Sequence, residues 1–134
     1  MRLLPDTNVL ICETIEDSEH HLEACELIDN VKEIFIPSIV IHEYIWVTLR
    51  LGIEMKIVFA KVKEYLENPK VYYFSEPLDV YIKAANMLLE DKKKHREIND
   101  YIILATAIKE KTVLATYDKE LRKAASKRGI KTIP

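Results

Sequence analysis

Short apolar runs of strand length alternate along the chain with longer stretches in which apolar residues recur at helical spacing. The short runs are Arg2 to Pro5, Ile34-Phe35-Ile36, Val71-Tyr72-Tyr73-Phe74, Thr112 to Ala115 and Ile130 to Ile133. Their β-branched and aromatic content suits a pleated, half-buried surface, and they predict five strands. Between them, Ala24, Leu27, Ile28 and Val31 make one stripe, Val58, Val62, Tyr65 and Leu66 a second, and Tyr81, Ala85, Leu88 and Leu89 a third. Steps of three and four residues place each set on one side of a helix, and each such side needs a sheet to cover it.

The punctuation agrees with this alternation. Ser18 and Ser38 are placed to cap the helices that follow them, Pro77 suits a first helical turn, and Gly129 can end a helix running from about Lys119 to Arg128. Strands separated by helices imply right-handed crossovers and a mainly parallel sheet covered on both faces. The expected fold is α/β, a three-layer α/β/α sandwich around a five-stranded sheet. With only 2 glycines and 5 prolines, and no repeat, low-complexity tract or shift in composition, residues 1–134 are expected to form one domain.

Charge narrows the function. Lys and Arg number 20 against 22 Asp and Glu, for a net charge of -2. The global basic footprint of a dedicated nucleic-acid-binding domain is missing, so any such function must come from a local site. Cys12 and Cys25 form no C-x-x-C pair, and His20, His21, His42 and His95 never stand at H-E-x-x-H spacing, which argues against zinc. No window is apolar enough for a membrane helix, and the amino-terminal residues do not read as a signal peptide; the expectation is a cytoplasmic protein with no membrane partner.

Most of the acids sit among lysines, as on a solvated helix surface, but four have strongly apolar neighbours. Asp6 lies between Leu3-Leu4-Pro5 and Val9-Leu10-Ile11, and Asp118 follows Val113-Leu114-Ala115-Thr116-Tyr117. Both therefore fall just past the end of an expected strand, where parallel sheets bind their ligands. Glu43 lies in Ile39-Val40-Ile41-His42-Glu43-Tyr44-Ile45-Trp46, near the start of the helix that leaves the second strand, and Asp100 lies in Ile98-Asn99-Asp100-Tyr101-Ile102-Ile103-Leu104-Ala105, where Asn99 or Asp100 opens an apolar helix. Singly, each acid can be a turn former, a cap or a helix-start residue. Jointly, four carboxylates at one strand edge repel one another unless a cation compensates them. A donor set of carboxylates without His or Cys points to Mg²⁺ or Mn²⁺, ions that polarise a phosphate and activate water.

These segments carry a resemblance. Asp6-Thr7-Asn8-Val9-Leu10-Ile11, then Glu43 in its apolar helix start, then Asn99-Asp100-Tyr101-Ile102-Ile103-Leu104-Ala105-Thr106-Ala107, then Thr116-Tyr117-Asp118-Lys119-Glu120-Leu121 together resemble the PIN domain, in particular the VapC-type toxins. The likeness runs through the whole chain in the family's order. It implies a metal-dependent endoribonuclease, the toxin of a type II toxin and antitoxin pair. Asp6, Glu43, Asp100 and Asp118 would be its catalytic metal ligands, with Asn8 and Thr116 as supporting residues. It further implies an RNA substrate, a cognate antitoxin and a homodimer.

Glu97, one helical turn before Asp100, is a secondary candidate ligand, although Lys94, His95 and Arg96 beside it equally suit a solvated cluster. Lys92, Lys93, Lys94 and Arg96, and then Lys119, Arg122 and Lys123, could flank the pocket and meet phosphate, or form ordinary helix surface. His42 reads as a packing or surface residue, and Tyr44 and Trp46 as core or interface rather than base-stacking platforms. The stretch from about Leu49 to Leu66, apolar on more than one side at Ile53, Met55, Ile57, Val58 and Phe59, is the expected partner surface. Two other classes compete: a non-catalytic α/β binding module with structural acids, and a phosphatase of the haloacid dehalogenase type. The latter requires a second Asp where this chain has Asn8.

Overall fold

The computed structural model describes residues 1–134. Along the chain come β1 (Arg2–Pro5), α1 (Thr7–Thr14), α2 (His21–Asn30), β2 (Glu33–Pro37), α3 (Ser38–Arg50), α4 (Met55–Glu67), β3 (Val71–Phe74), α5 (Leu78–Glu90), a 3-10 turn at His95–Glu97, α6 (Ile98–Glu110), β4 (Val113–Ala115), α7 (Lys119–Lys127) and β5 (Thr132–Ile133). The strands form one sheet in the order β3-β2-β1-β4-β5. Every neighbouring pair is parallel, so the sheet is wholly and not merely mainly parallel. Leu3 is in register with Ile34 on one side and with Val113 on the other. The chain thus leaves β1 toward β2 and β3, then returns to lay β4 and β5 along the opposite edge. That reversal makes a topological switch point beyond the carboxyl ends of β1 and β4.

A strand buried on both faces must be apolar throughout, and Leu3, Leu4, Ile34, Ile36, Leu114 and Ala115 are all within 1% of full burial. Helix α6 is buried on every side from Tyr101 to Ala107, which is why its run of apolar residues shows no polar stripe. α5 packs on α6, α6 on α7, and α3 contacts α1, α4 and α6. A carboxylate locks the α5, α6 and α7 group. Asp91, just past α5, accepts hydrogen bonds from Arg128 Nη1 and Nη2 at 3.0 Å each, from Lys127 Nζ at 2.7 Å and from the Tyr101 hydroxyl at 2.6 Å. The Arg128 guanidinium, foremost among these, holds the Asp91 carboxyl well below the usual carboxylate range.

Several local expectations need correction. α5 buries Val80, Ala84 and Met87 rather than the stripe one position on, and Tyr81 and Leu89 face solvent at 43% and 74% exposure. The helix is apolar on two sides, and spacing alone does not say which one meets the core. Leu66 is likewise exposed, at the margin of the face formed by Val58, Val62 and Tyr65. Ser18 turns back to the Cys12 carbonyl and caps nothing, since α2 begins only at His21. Ser38 is already inside α3. The start of that helix is satisfied from a distance by Glu76, whose carboxylate accepts from Ser38 Oγ at 2.6 Å and from the Ile39 backbone N–H at 3.0 Å. Gly129 does end α7, at a positive φ of 75° that suits it. No helix is long and apolar enough to cross a membrane.

Asp91→Ala leaves a 13%-exposed Arg128 without its carboxylate and is expected to cost about 3 kcal/mol at neutral pH. A depressed carboxyl stabilises the fold above its unfolded value and loses that contribution as pH falls toward its folded one. The difference in denaturation midpoint between wild type and Asp91→Ala should therefore shrink below about pH 4. A constant difference down to pH 2 would contradict the ion-pair account.

Candidate functional site

β1 ends at Pro5, which has no N–H to give, and the first donor past it, the Asp6 N–H, bonds the Ala115 carbonyl of β4 at 2.8 Å. Asp6 then turns the chain into α1 as its N-cap and is 4% exposed. Its Oδ1 accepts from the Thr7 N–H at 2.7 Å. Its Oδ2 accepts from Asn8 Nδ2 at 3.1 Å and from Thr116 Oγ1 at 2.8 Å. The same two side chains fasten the turn after β4: Asn8 Oδ1 accepts from the Tyr117 N–H at 3.3 Å, and Thr116 Oγ1 from the Asp118 N–H at 3.0 Å. The loops following the two central strands are thereby held as one unit.

Asp118 caps α7, its Oδ1 accepting from the Glu120 and Leu121 N–H groups at 2.9 and 3.2 Å. Glu43 projects from α3 and is held at both oxygens, Oε1 by the Thr7 hydroxyl at 2.7 Å and Oε2 by Asn99 Nδ2 at 3.2 Å. Asp100 stands in the first turn of α6. It differs from the other three in that its carboxylate accepts no hydrogen bond from either side chain or backbone, and the partial positive charge of its helix start is the nearest favourable field.

The electrostatics show that these groups face a common space. Burial, foremost, pushes the Asp100 carboxyl up to about 7, and the charges of Asp6, Asp118, Glu43 and Glu97 push in the same direction. Asp6 is raised to about 6, chiefly by burial and secondarily by Glu43 and Asp118, against the hydrogen bonds from Thr116 and Thr7 that favour its charged form. The acids share the space without being drawn into one coordination sphere: no three His, Cys, Asp or Glu side chains are gathered closely enough to hold an ion. Glu43, Asp6 and Asp118 are each tethered to separate donors. The oxygen-only donor set and the upward displacement of Asp100 nevertheless fit a hard divalent cation.

Asp6, Glu43, Asp100 and Asp118 thus come to the switch point, with Asn8 and Thr116 in hydrogen-bond contact with Asp6. Glu97 lies near enough to raise Asp100, while its own Oε2 accepts from the Lys94 N–H at 3.4 Å. The basic residues are partly engaged elsewhere. Lys93 and Lys123 pair with Glu120 at 3.3 and 3.7 Å, and Arg122 Nη2 donates to the Thr116 carbonyl at 2.8 Å. His42 is on the surface, and Tyr44 is fully buried. The sequence offered Asn99 only as a helix opener, although α6 already begins at Ile98, and did not mark Thr7 or Asn99 as the donors to Glu43. Their polar side chains directly beside Asp6 and Asp100 were the available signal.

A profile of the PIN domain matches residues 3–127. Among solved structures, the toxin VapC20 of Mycobacterium tuberculosis, described as cleaving the sarcin-ricin loop, superposes with a TM-score of 0.78 at 17% identity over 91% of this chain and 94% of that one. VapBC2 of Rickettsia felis, solved with a DNA fragment from its promoter, gives 0.72 at 17% identity, covering 99% and 98%. VapBC-1 of nontypeable Haemophilus influenzae gives 0.69 at 17% identity, covering 99% and 97%. No curated protein matches the chain.

Carboxyls raised in the folded state hold protons that the unfolded chain has released. The metal-free protein should therefore be most stable near pH 4 and lose stability as pH rises through 6 and 7, the values of Asp6 and Asp100. Asp100→Asn removes one repelling charge and forfeits no side-chain hydrogen bond. Its melting temperature at pH 7.5 is expected to exceed that of wild type by a few degrees, with a shallower pH slope. Melts in EDTA from pH 4 to 8 measure both, and identical slopes would refute the shared-pocket electrostatics.

Proposed function

This chain belongs to the PIN-domain family, and from that premise we propose that it is a metal-dependent endoribonuclease, the toxin of a type II toxin and antitoxin pair. One observation carries the reading: a half-buried Asp100, capping nothing, faces Asp6, Glu43, Asp118 and Glu97 at the switch point of a parallel sheet. The competing reading, a binding module with structural acids, draws support from Asp6 and Asp118, which are both helix caps. It gives no reason for Asp100, whose carboxylate accepts no hydrogen bond, to stand among four other acids that all raise its pKa. A haloacid dehalogenase-type phosphatase is disfavoured because Asn8 spends its amide on Asp6 and offers no carboxylate.

Asp6, Glu43, Asp100 and Asp118 would hold Mg²⁺ or Mn²⁺. When bound, such an ion neutralises phosphate oxygens and lowers the pKa of an attacking water. The chain's own residues orient the acids. Thr116 and Asn8 fix both the Asp6 carboxylate and the loop carrying Asp118, while Thr7 and Asn99 fix Glu43. Rotamers locked in this way keep the negative charge aimed at one place. Hydrolysis then needs no nucleophile from the protein.

The partners belong to the same proposal. Among the structural relatives, VapC20 is described as a toxin and a structure from Klebsiella pneumoniae as a toxin-antitoxin complex. Here Leu51, Met55, Ile57 and Phe59 stand 49 to 62% exposed around the α3 to α4 connection, within the stretch expected to meet a partner, although Val58 is in the core. This surface suits the antitoxin. The outward side of α5, with Leu78, Tyr81, Ile82 and Leu89, suits a second copy of the chain. The site of action is the cytoplasm, where RNA is the substrate.

Incubation of a mixed RNA pool should give cleavage with Mg²⁺ or Mn²⁺ and little with Ca²⁺, whose looser geometry places phosphate and water poorly. Asp6→Asn, Asp100→Asn and Asp118→Asn should each lower turnover by about 100-fold or more, the scale on which loss of one electrostatic stabiliser is felt. Asn8→Ala and Thr116→Ala should lower it by about 10 to 100-fold. Equal cleavage in EDTA and in Mg²⁺ would overturn the metal mechanism.

A further inference from the structure

Trp46 is 55% exposed, whereas Tyr44, two residues before it on α3, is fully buried. The indole is therefore not a displaced core residue but a surface feature of the helix that carries Glu43. One turn separates Glu43 from Trp46, so the two lie on the same side of α3. With His42, Val47 and Asn99 they line a recess of about 320 Å³. Two of its walls, Glu43 and Asn99, are joined by the hydrogen bond described above, and Asn99 immediately precedes Asp100. The recess thus shares Glu43 with the acidic site and adjoins it at Asn99.

Arg50 lies over the Trp46 ring with its guanidinium carbon 4.5 Å from the ring centre, yet is not part of the recess wall. It packs against the indole by a cation–π contact that restrains the ring. His42, one turn before Trp46, brings a second flat ring to the same recess.

We propose that Trp46, with Arg50 against its ring and His42 lining the same recess, is a stacking subsite for an unpaired base of an RNA strand whose neighbouring phosphate lies at the Asp6, Glu43, Asp100 and Asp118 site. The assignment rests on the ribonuclease reading and adds to it where the strand lies and that it must be unpaired. The chemistry favours a base over other parts of the substrate. A recess walled by Glu43 repels phosphate, while a base is uncharged and presents a flat face to an aromatic ring. Stacking of this kind tolerates any sequence, because every base has such a face. It also explains how a chain of net charge -2 can retain RNA without a broad basic surface.

Trp46 is the only tryptophan in the chain, so its fluorescence reports on the recess directly. The full-length protein is titrated, in Ca²⁺, with a single-stranded 10-nucleotide RNA and with a perfectly paired duplex of the same sequence. Saturable quenching by the single strand and much weaker quenching by the duplex are expected. Trp46→Leu should bind the labelled single strand about tenfold more weakly, and Trp46→Phe should stay within about threefold of wild type. The slope of log affinity against log salt should not change in either variant, since no phosphate contact is removed. In Mg²⁺, Trp46→Leu should raise KM with kcat retained. Wild-type affinity in Trp46→Leu, or an indole left unquenched at saturation, overturns the subsite and assigns the recess to another occupant such as a protein side chain. If the wild type cleaves RNA in that case, the nuclease reading survives alone. If it neither binds nor cleaves RNA with any divalent ion, both fall.

Discussion

Charge repulsion between carboxylates in a poorly solvated space is the constraint around which the molecule is arranged. Water screens such repulsion well and a protein interior does not, so acids brought to one strand edge must be held by something other than mutual preference. The chain holds them with hydrogen bonds from its own neighbours. Asp6 takes three donors and Glu43 two, all from residues on the elements that must meet at that edge. The tethers that orient the acids are therefore also the ties between β1, β4, α3 and α6. Loss of one would loosen both the site and the packing.

Asp100 is the exception, and its placement depends on burial instead of hydrogen bonding. α6 is enclosed from Tyr101 to Ala107, so its axis is set by core packing and its first turn cannot move away from the other acids. Asp91 reinforces this from the far side by binding Tyr101 of α6 and Arg128 beyond α7 together. Asp100, the acid under the most electrostatic strain, is thus carried on the helix with the longest buried run, as expected where stability is given up locally for function.

The surface divides in a related way. Apolar side chains that a monomer gains nothing by exposing are concentrated on the outward side of α5 and around the α3 to α4 connection, and Trp46 stands apart from these beside the acidic site. Scattered exposed hydrophobes need no explanation, but rows of them at helical spacing do. α5 shows the point most plainly: Val80, Ala84 and Met87 face inward while Leu78, Tyr81, Ile82 and Leu89 face outward.

The alternation of strand-length runs and helical stripes was enough to place four strands within about one residue and the shorter β5 within about two, and to imply a parallel sheet, because period and length are local properties. The positions of Asp6 and Asp118 just past strand ends were legible for the same reason. Local pattern could not say which side of α5 is buried, since that depends on the element it packs against. Nor could it find the cap of α3, which comes from Glu76 across a long sequence separation while Ser38 sits inside the helix. The Thr7 and Asn99 clamp on Glu43 and the exposure of Trp46 beside it were equally hidden. The sequence by itself determined the elements, their order and the acids at their ends. Only the tertiary structure decided which donors hold those acids and which faces stay open, because those are contacts between residues far apart in the chain.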